Sequence, residues 1–82
     1  MVFVYILESE STGRFYIGIA EEPEVRLNEH NRGQTRSTRG GTPWRKVWLE
    51  GHPNRSSAVR REREIKSWKS RIRVQSLIEQ SK

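Results

Sequence analysis

The longest apolar run, Val2 to Leu7, is rich in β-branched and aromatic residues and reads as a strand reaching Ser9. Ser11-Thr12-Gly13 is turn chemistry. From Arg14 to Ala20, Phe15, Ile17 and Ile19 then alternate with Arg14, Tyr16 and Gly18. That period of two predicts a second strand and, with the short turn, an antiparallel hairpin. Tyr5 has the parity of Phe3 and Leu7, whereas Tyr16 lies opposite to Phe15, Ile17 and Ile19. Pro23 suits the first turn of a helix, and Glu21, Glu22 and Glu24 suit its positive end. The helix runs to about Asn31 and ends at Gly33. Its i, i+3, i+4, i+7 set is Pro23, Arg26, Leu27 and His30, so an arginine and a histidine flank the leucine that faces the sheet.

Residues 32–42 hold no large apolar side chain and read as a mobile basic loop. Pro43 to Glu50 gives a third strand, with Trp44 and Trp48 on one parity and Gly51 and Pro53 closing it. Ser56 or Ser57 caps a long helix through about Ser70. Its apolar stripe is Ala58, Ile65 and Trp68, completed at position 61 or 62; Glu62 borders that stripe and Glu64 points away. A last helix, about Arg71 to Gln80, buries Val74, Leu77 and Ile78. The order β-β-α-β-α-α predicts an α+β fold, a three-stranded antiparallel sheet flanked by helices.

Composition narrows the function. A chain of 82 residues is one small domain, 1–82, with a modest core. The absence of cysteine excludes disulfides, thiolate metal sites and cysteine nucleophiles. No aspartate is present either, so a metal would depend on Glu, His, backbone oxygens and water. No apolar run is long enough to cross a bilayer, and a cytoplasmic protein without a membrane partner is expected. The net charge of +6 is uneven. Residues 1–29 carry six Glu against Arg14 and Arg26, while residues 30–82 carry fourteen Lys and Arg against four Glu. Twelve of the sixteen basic residues are Arg, whose planar fork suits bidentate contact with phosphate. The second part of the chain thus reads as a polyanion binder.

Five residues combine into a pattern. Tyr5 sits in Val4-Tyr5-Ile6, and Tyr16 opens Tyr16-Ile17-Gly18. Arg26 falls ten residues later and His30 one helical turn beyond. Glu62 lies in Ala58-(x)3-Glu62-(x)2-Ile65-Lys66. Taken singly, each has a structural explanation: packing tyrosines, an Arg26 pair with Glu22 or Glu29, a solvated histidine, a Glu62–Lys66 bridge at i+4. Together, their order and spacing resemble the GIY-YIG nuclease domain, in particular its small stand-alone bacterial members. His30-Asn31-(x)-Gly33, Thr38, Pro43-Trp44, Trp68 and Leu77-Ile78 extend the resemblance over nearly the whole chain.

The resemblance implies a metal-dependent endonuclease acting on DNA by direct water attack, in the setting of repair or recombination, with RNA open as a second substrate. One tyrosine would be the general base; the sequence leaves open which, with a lean to Tyr5. Arg26 would oppose charge on the scissile phosphate. His30 would assist proton transfer or bind phosphate, and Glu62 would hold one Mg²⁺ or Mn²⁺ ion. Gly18, Arg36, Thr38, Arg39, Arg45, Lys46 and Lys66 are the expected phosphate contacts. Departures from the family pattern are Phe3-Val4 in place of glycine and isoleucine before Tyr5, and Ile19 after Gly18 where a lysine could polarise Tyr or water. Val74 or a neighbour lies where several members use an asparagine. Two other readings follow from the residues. One is a binding module without useful chemistry, using the basic loop 32–46 and basic helix 55–73. The other is a chain whose protein partner, or second copy, supplies specificity.

Overall fold

The computed structural model describes residues 1–81. The strands β1 (Val2–Ser9), β2 (Phe15–Ala20) and β3 (Trp44–His52) form one antiparallel sheet in the order β2-β1-β3. The most apolar strand is therefore central, and Val4, Tyr5, Ile6 and Leu7 are all buried in it. The helices α1 (Pro23–Asn31), α2 (Arg55–Ser67) and α3 (Arg71–Gln80) complete the expected β-β-α-β-α-α order. None of the described helices is long and apolar enough to cross a membrane.

Alternation along β1 gives the sheet two working faces. Val2, Val4 and Ile6 pack with Trp48, Ala58 and Ile65, and with Val74 and Ile78 of α3. Tyr5 and Leu7 point the other way, toward Ala20, Trp44, Tyr16 and Leu27. The helix α1 lies on that second face, and its one buried residue is His30. The stripe of Pro23, Arg26, Leu27 and His30 turns inward as its spacing predicts.

Five local expectations are corrected. Trp44 and Trp48 share sequence parity yet lie on opposite faces. Ile6 pairs with Trp48 but Leu7 pairs with Lys46, so Val47 is an extra residue, and the bulge reverses the alternation. β3 also continues through Gly51 to His52. The cap of α2 is Asn54, whose carboxamide oxygen accepts from the Ser57 N–H at 2.9 Å; the helix stops at Ser67 because Ser70 caps α3. Residues 36–41 are a 3₁₀ turn with Thr38 and Gly41 buried, not an unstructured loop.

The end of β3 is tied to α2 by polar contacts. The His52 ring joins Ser57 Oγ at 3.0 Å and Glu50 at 2.8 Å, and Glu50 also accepts from Arg61 at 3.1 Å. With Ala58 and Ile65 in the core beneath, this fixes the rotation of α2 and hence where Glu62 stands.

Candidate active site

Tyr5 and Gly18 face each other across β1 and β2. A Cβ at position 18 would stand 2.6 Å from the Tyr5 hydroxyl oxygen and 2.7 Å from its Cζ. Only glycine lets the phenol cross the backbone of β2 here. The open approach for phosphate expected at Gly18 is thus taken up by the Tyr5 ring. Gly18→Ala is expected to destabilise the fold by about 1–3 kcal/mol, as overpacked cores do. A urea midpoint equal to that of the unmodified chain would contradict this.

The Tyr5 hydroxyl meets His30 Nε2 at 3.1 Å, and His30 Nδ1 meets Thr38 Oγ1 at 2.7 Å. The direction of this chain follows from its far end. The Thr38 hydroxyl donates to the Thr35 carbonyl at 3.2 Å, and a carbonyl can only accept. Thr38 Oγ1 therefore accepts from His30 Nδ1–H. In the neutral imidazole Nε2 is then an acceptor, and the Tyr5 O–H donates to it.

Burial decides the ionisation of both groups. Tyr5 is 1% exposed and His30 0%. Burial pushes the Tyr5 phenol above its ordinary value; Tyr16 and Glu62 push the same way, while Arg26 pulls back. Burial first, and the Arg26 cation second, hold the His30 imidazole below its ordinary value. Near neutral pH the pair is a neutral phenol bonded to a neutral imidazole.

Around this pair the expected residues arrive from separate elements. Tyr16, partly exposed, lies edge-on to His30 with ring centroids 4.8 Å apart. Arg26 is 36% exposed and bonded through Nη1 to Glu29 at 2.7 Å, with the Tyr5 phenol also close to its guanidinium. The charges of both Arg26 and Glu62 act on the Tyr5 phenol, in opposite directions. Glu62 is 18% exposed against 54% for Glu64, and its contact to Lys66 is loose at 3.5 Å. The helical phase thus separates the two carboxylates as expected.

The other expected phosphate contacts are distributed differently. Thr38 is 1% exposed and its hydroxyl is engaged with His30 and Thr35, so it clamps the histidine instead of reaching phosphate. Arg39 donates to the Gly33 carbonyl at 2.9 Å, Arg45 pairs with Glu8 at 2.8 Å, and Lys46 pairs with Glu24. Arg36 is exposed. Lys66 alone of the expected lysines and arginines adjoins Glu62.

Two residues with no role assigned from the sequence complete the support. Asn31 accepts from the Trp44 backbone N–H at 2.6 Å and donates to the Trp44 carbonyl at 3.0 Å. The Trp44 indole N–H donates to the Thr38 carbonyl at 2.7 Å. A circuit of bonds therefore runs from α1 through Trp44 to Thr38 and back to His30. The sequence signal was His30-Asn31 beside Thr38 and Pro43-Trp44, residues that matched a family pattern without a visible reason.

Comparison with known proteins shows the family and the fold of the chain. The family model of the GIY-YIG catalytic domain matches residues 1–75. A UPF0213 protein of Haloquadratum walsbyi is 42% identical over 79 residues, covering 95% of this chain and 86% of that protein. A UPF0213 protein of Staphylococcus aureus is 39% identical over 67 residues, 80% of each chain. The solution NMR structure of a UPF0213 protein from Bacillus halodurans superposes with a TM-score of 0.60 at 33% identity, covering 96% of this chain and 84% of that one.

Proposed function

This chain belongs to the GIY-YIG catalytic domain family, and on that premise we propose that it is a divalent-metal-dependent endonuclease hydrolysing DNA phosphodiester bonds. The observation that supports this most is the gathering of Tyr16, Arg26 and Glu62 around the directed Tyr5–His30–Thr38 chain. Hydrolysis needs a base beside the attacking water, a cation against phosphate charge, and help for the leaving oxygen.

The exposures support one division of these roles. Tyr5 is buried and its hydroxyl is spent on His30, whereas Tyr16 reaches solvent from the same cluster. Tyr16 is accordingly the tyrosine that meets water, which moves the base from Tyr5. Tyr5, His30 and Thr38 hold the Tyr16 ring in place. Arg26 opposes charge on the scissile phosphate through the exposed part of its fork.

Glu62 fits a hydrated hard cation. It offers one half-buried carboxylate with a single loose partner, and Mg²⁺ is commonly held by one or two carboxylates with waters and substrate phosphate. That mode needs no cage of protein ligands, and among the described residues no three His, Cys, Asp or Glu side chains form one. Mg²⁺ or Mn²⁺ at Glu62 would supply Lewis-acid stabilisation of the leaving oxygen.

A single small module has little surface with which to read sequence, roughly 600–1,000 Å² on DNA, so selection by DNA structure is proposed over base sequence. A protein partner or second copy would add any further specificity. The test is cleavage of labelled single-stranded, duplex, flap and branched DNA with Mg²⁺, with Mn²⁺ or with EDTA. Cutting is expected with either metal and not in EDTA. Salt-sensitive binding without cutting under every condition would replace this reading with the binding module.

A further inference from the structure

Among the described residues the outer edge of β2 has no strand beside it, and two depressions of opposite character lie at its ends. At the Arg14 end a groove of about 490 Å³ runs between β2 and the junction of α2 with α3. Arg14, Phe15, Tyr16, Lys66, Lys69 and Arg71 line it, and none of its lining residues is acidic. At the Ala20 end, about 330 Å³ is lined by Glu21, Glu22 and Glu29 against Arg26 and Arg55.

We propose that the basic groove binds the unpaired DNA strand flanking the scissile phosphate on one side. This rests on the nuclease reading and gives the substrate a direction along β2. Tyr16 contributes to the lining of the groove while its ring packs edge-on against His30 on the other face of the sheet, and Lys66 lies 3.5 Å from Glu62, so groove and reacting centre meet across the edge strand β2. Among the described residues neither Arg14 nor Lys69 has a carboxylate partner. The Arg71 guanidinium lies 4.4 Å from the centre of the Phe15 ring. A flat cation on an aromatic face is a surface on which an unstacked base can stack, and a duplex base cannot use it. At the other end three glutamates stand against only Arg26 and Arg55, with Arg26 already paired to Glu29, so that end is the less favourable exit for a strand.

Lys69 adds an independent mark. It is the residue just past the C-cap of α2 and has φ +49°, a position that glycine, then asparagine, usually fills. A lysine there carries backbone strain, and strain of this kind gathers at functional positions. What the lysine supplies at that cost is a cation on the rim of the groove.

The test measures binding of labelled oligothymidine, and of a duplex of equal length, in EDTA so that nothing is cut. Lys69→Gly is expected to raise the urea midpoint while weakening oligothymidine binding, a combination that misfolding cannot produce. Arg14→Glu with Lys69→Glu is expected to weaken oligothymidine roughly tenfold or more and duplex less. It should also lower the salt slope by about 0.7 per lost phosphate contact. Arg55→Glu, in the acidic depression, is the control for general charge. Equal losses in Arg55→Glu, or equal losses for single strand and duplex, would overturn the proposal. If the unmodified chain never cuts DNA yet shows this binding pattern, the groove stands and the nuclease reading falls. If it cuts but the groove variants bind normally, the reverse holds.

Discussion

Glu62→Gln is expected to lower DNA cleavage about 10³-fold, the scale of the several kcal/mol that a Lewis-acid ion contributes to such a transition state. The substitution keeps the shape of the side chain and removes its charge, so the half-buried position beside Ala58 and Ile65 remains filled. What is lost is the carboxylate charge of α2 that reaches the Tyr5 phenol. Nucleic-acid affinity should hold or rise slightly, because Lys66 is released from the one carboxylate it contacts among the described residues. Glu64→Gln is the matched control: Glu64 is exposed, pairs with Arg61, and should leave cleavage unchanged. Rates and filter-binding affinities of the two variants, side by side in Mg²⁺, check this. Equal losses from both, or retained cleavage in Glu62→Gln, would remove Glu62 from the metal.

The separation of these two glutamates was legible in the sequence because helical phase is short-range. Ala58 and Ile65 define the buried stripe of α2, and 62 falls beside it while 64 does not. The same holds for Arg26 and His30, one turn apart on α1. The β1–β2 hairpin followed from alternation and turn chemistry alone, whereas the place of β3 beside β1 comes from the structure.

What was not legible depends on contacts distant in sequence. Nothing in residues 32–42 announces order, since no large apolar side chain lies there. The 3₁₀ turn is held from outside, by the Trp44 indole on the Thr38 carbonyl and by Arg39 on the Gly33 carbonyl. Gly41 belongs to the same fit: a Cβ there would stand 2.5 Å from the Trp44 ring. Thr38 therefore looked like a loop hydroxyl free for phosphate when it is the clamp on His30. The Val47 bulge is equally silent, because one extra residue moves Trp44 to the face opposite Trp48 without changing the composition of the strand. Asn54 overrode the two serines as cap of α2 by starting that helix earlier.

The circuit through Thr38 bears on the second large effect expected, which separates the two tyrosines. Tyr16→Phe should lower cleavage by about 10²–10⁴-fold, the usual contribution of a positioned acid or base. Its stability should stay near that of the unmodified chain, since no hydrogen bond of the Tyr16 hydroxyl is part of the circuit. Tyr5→Phe should do the opposite. It strips the donor from His30 Nε2 inside the protein, which costs about 1–3 kcal/mol, and slows cleavage only through a less well-held cluster.

The pH dependence of stability gives a readout that activity does not. The folded phenol of Tyr5 sits above its ordinary value, so above about pH 10 the unfolded chain releases that proton first, and stability falls as pH rises through the folded value. Tyr5→Phe should remove that part of the alkaline fall, and Tyr16→Phe should keep it. The acid side belongs to His30. Its folded value lies below the ordinary one near 6.5, so the unfolded chain gains the proton first and stability falls as pH drops from there to the folded value. Both tyrosine variants should retain this, and His30→Gln should lose it. If instead Tyr5→Phe silences cleavage at unchanged stability and Tyr16→Phe does not, the base is Tyr5. The phenol-to-imidazole bond would then be its route for losing the proton, with His30 Nε2 taking it.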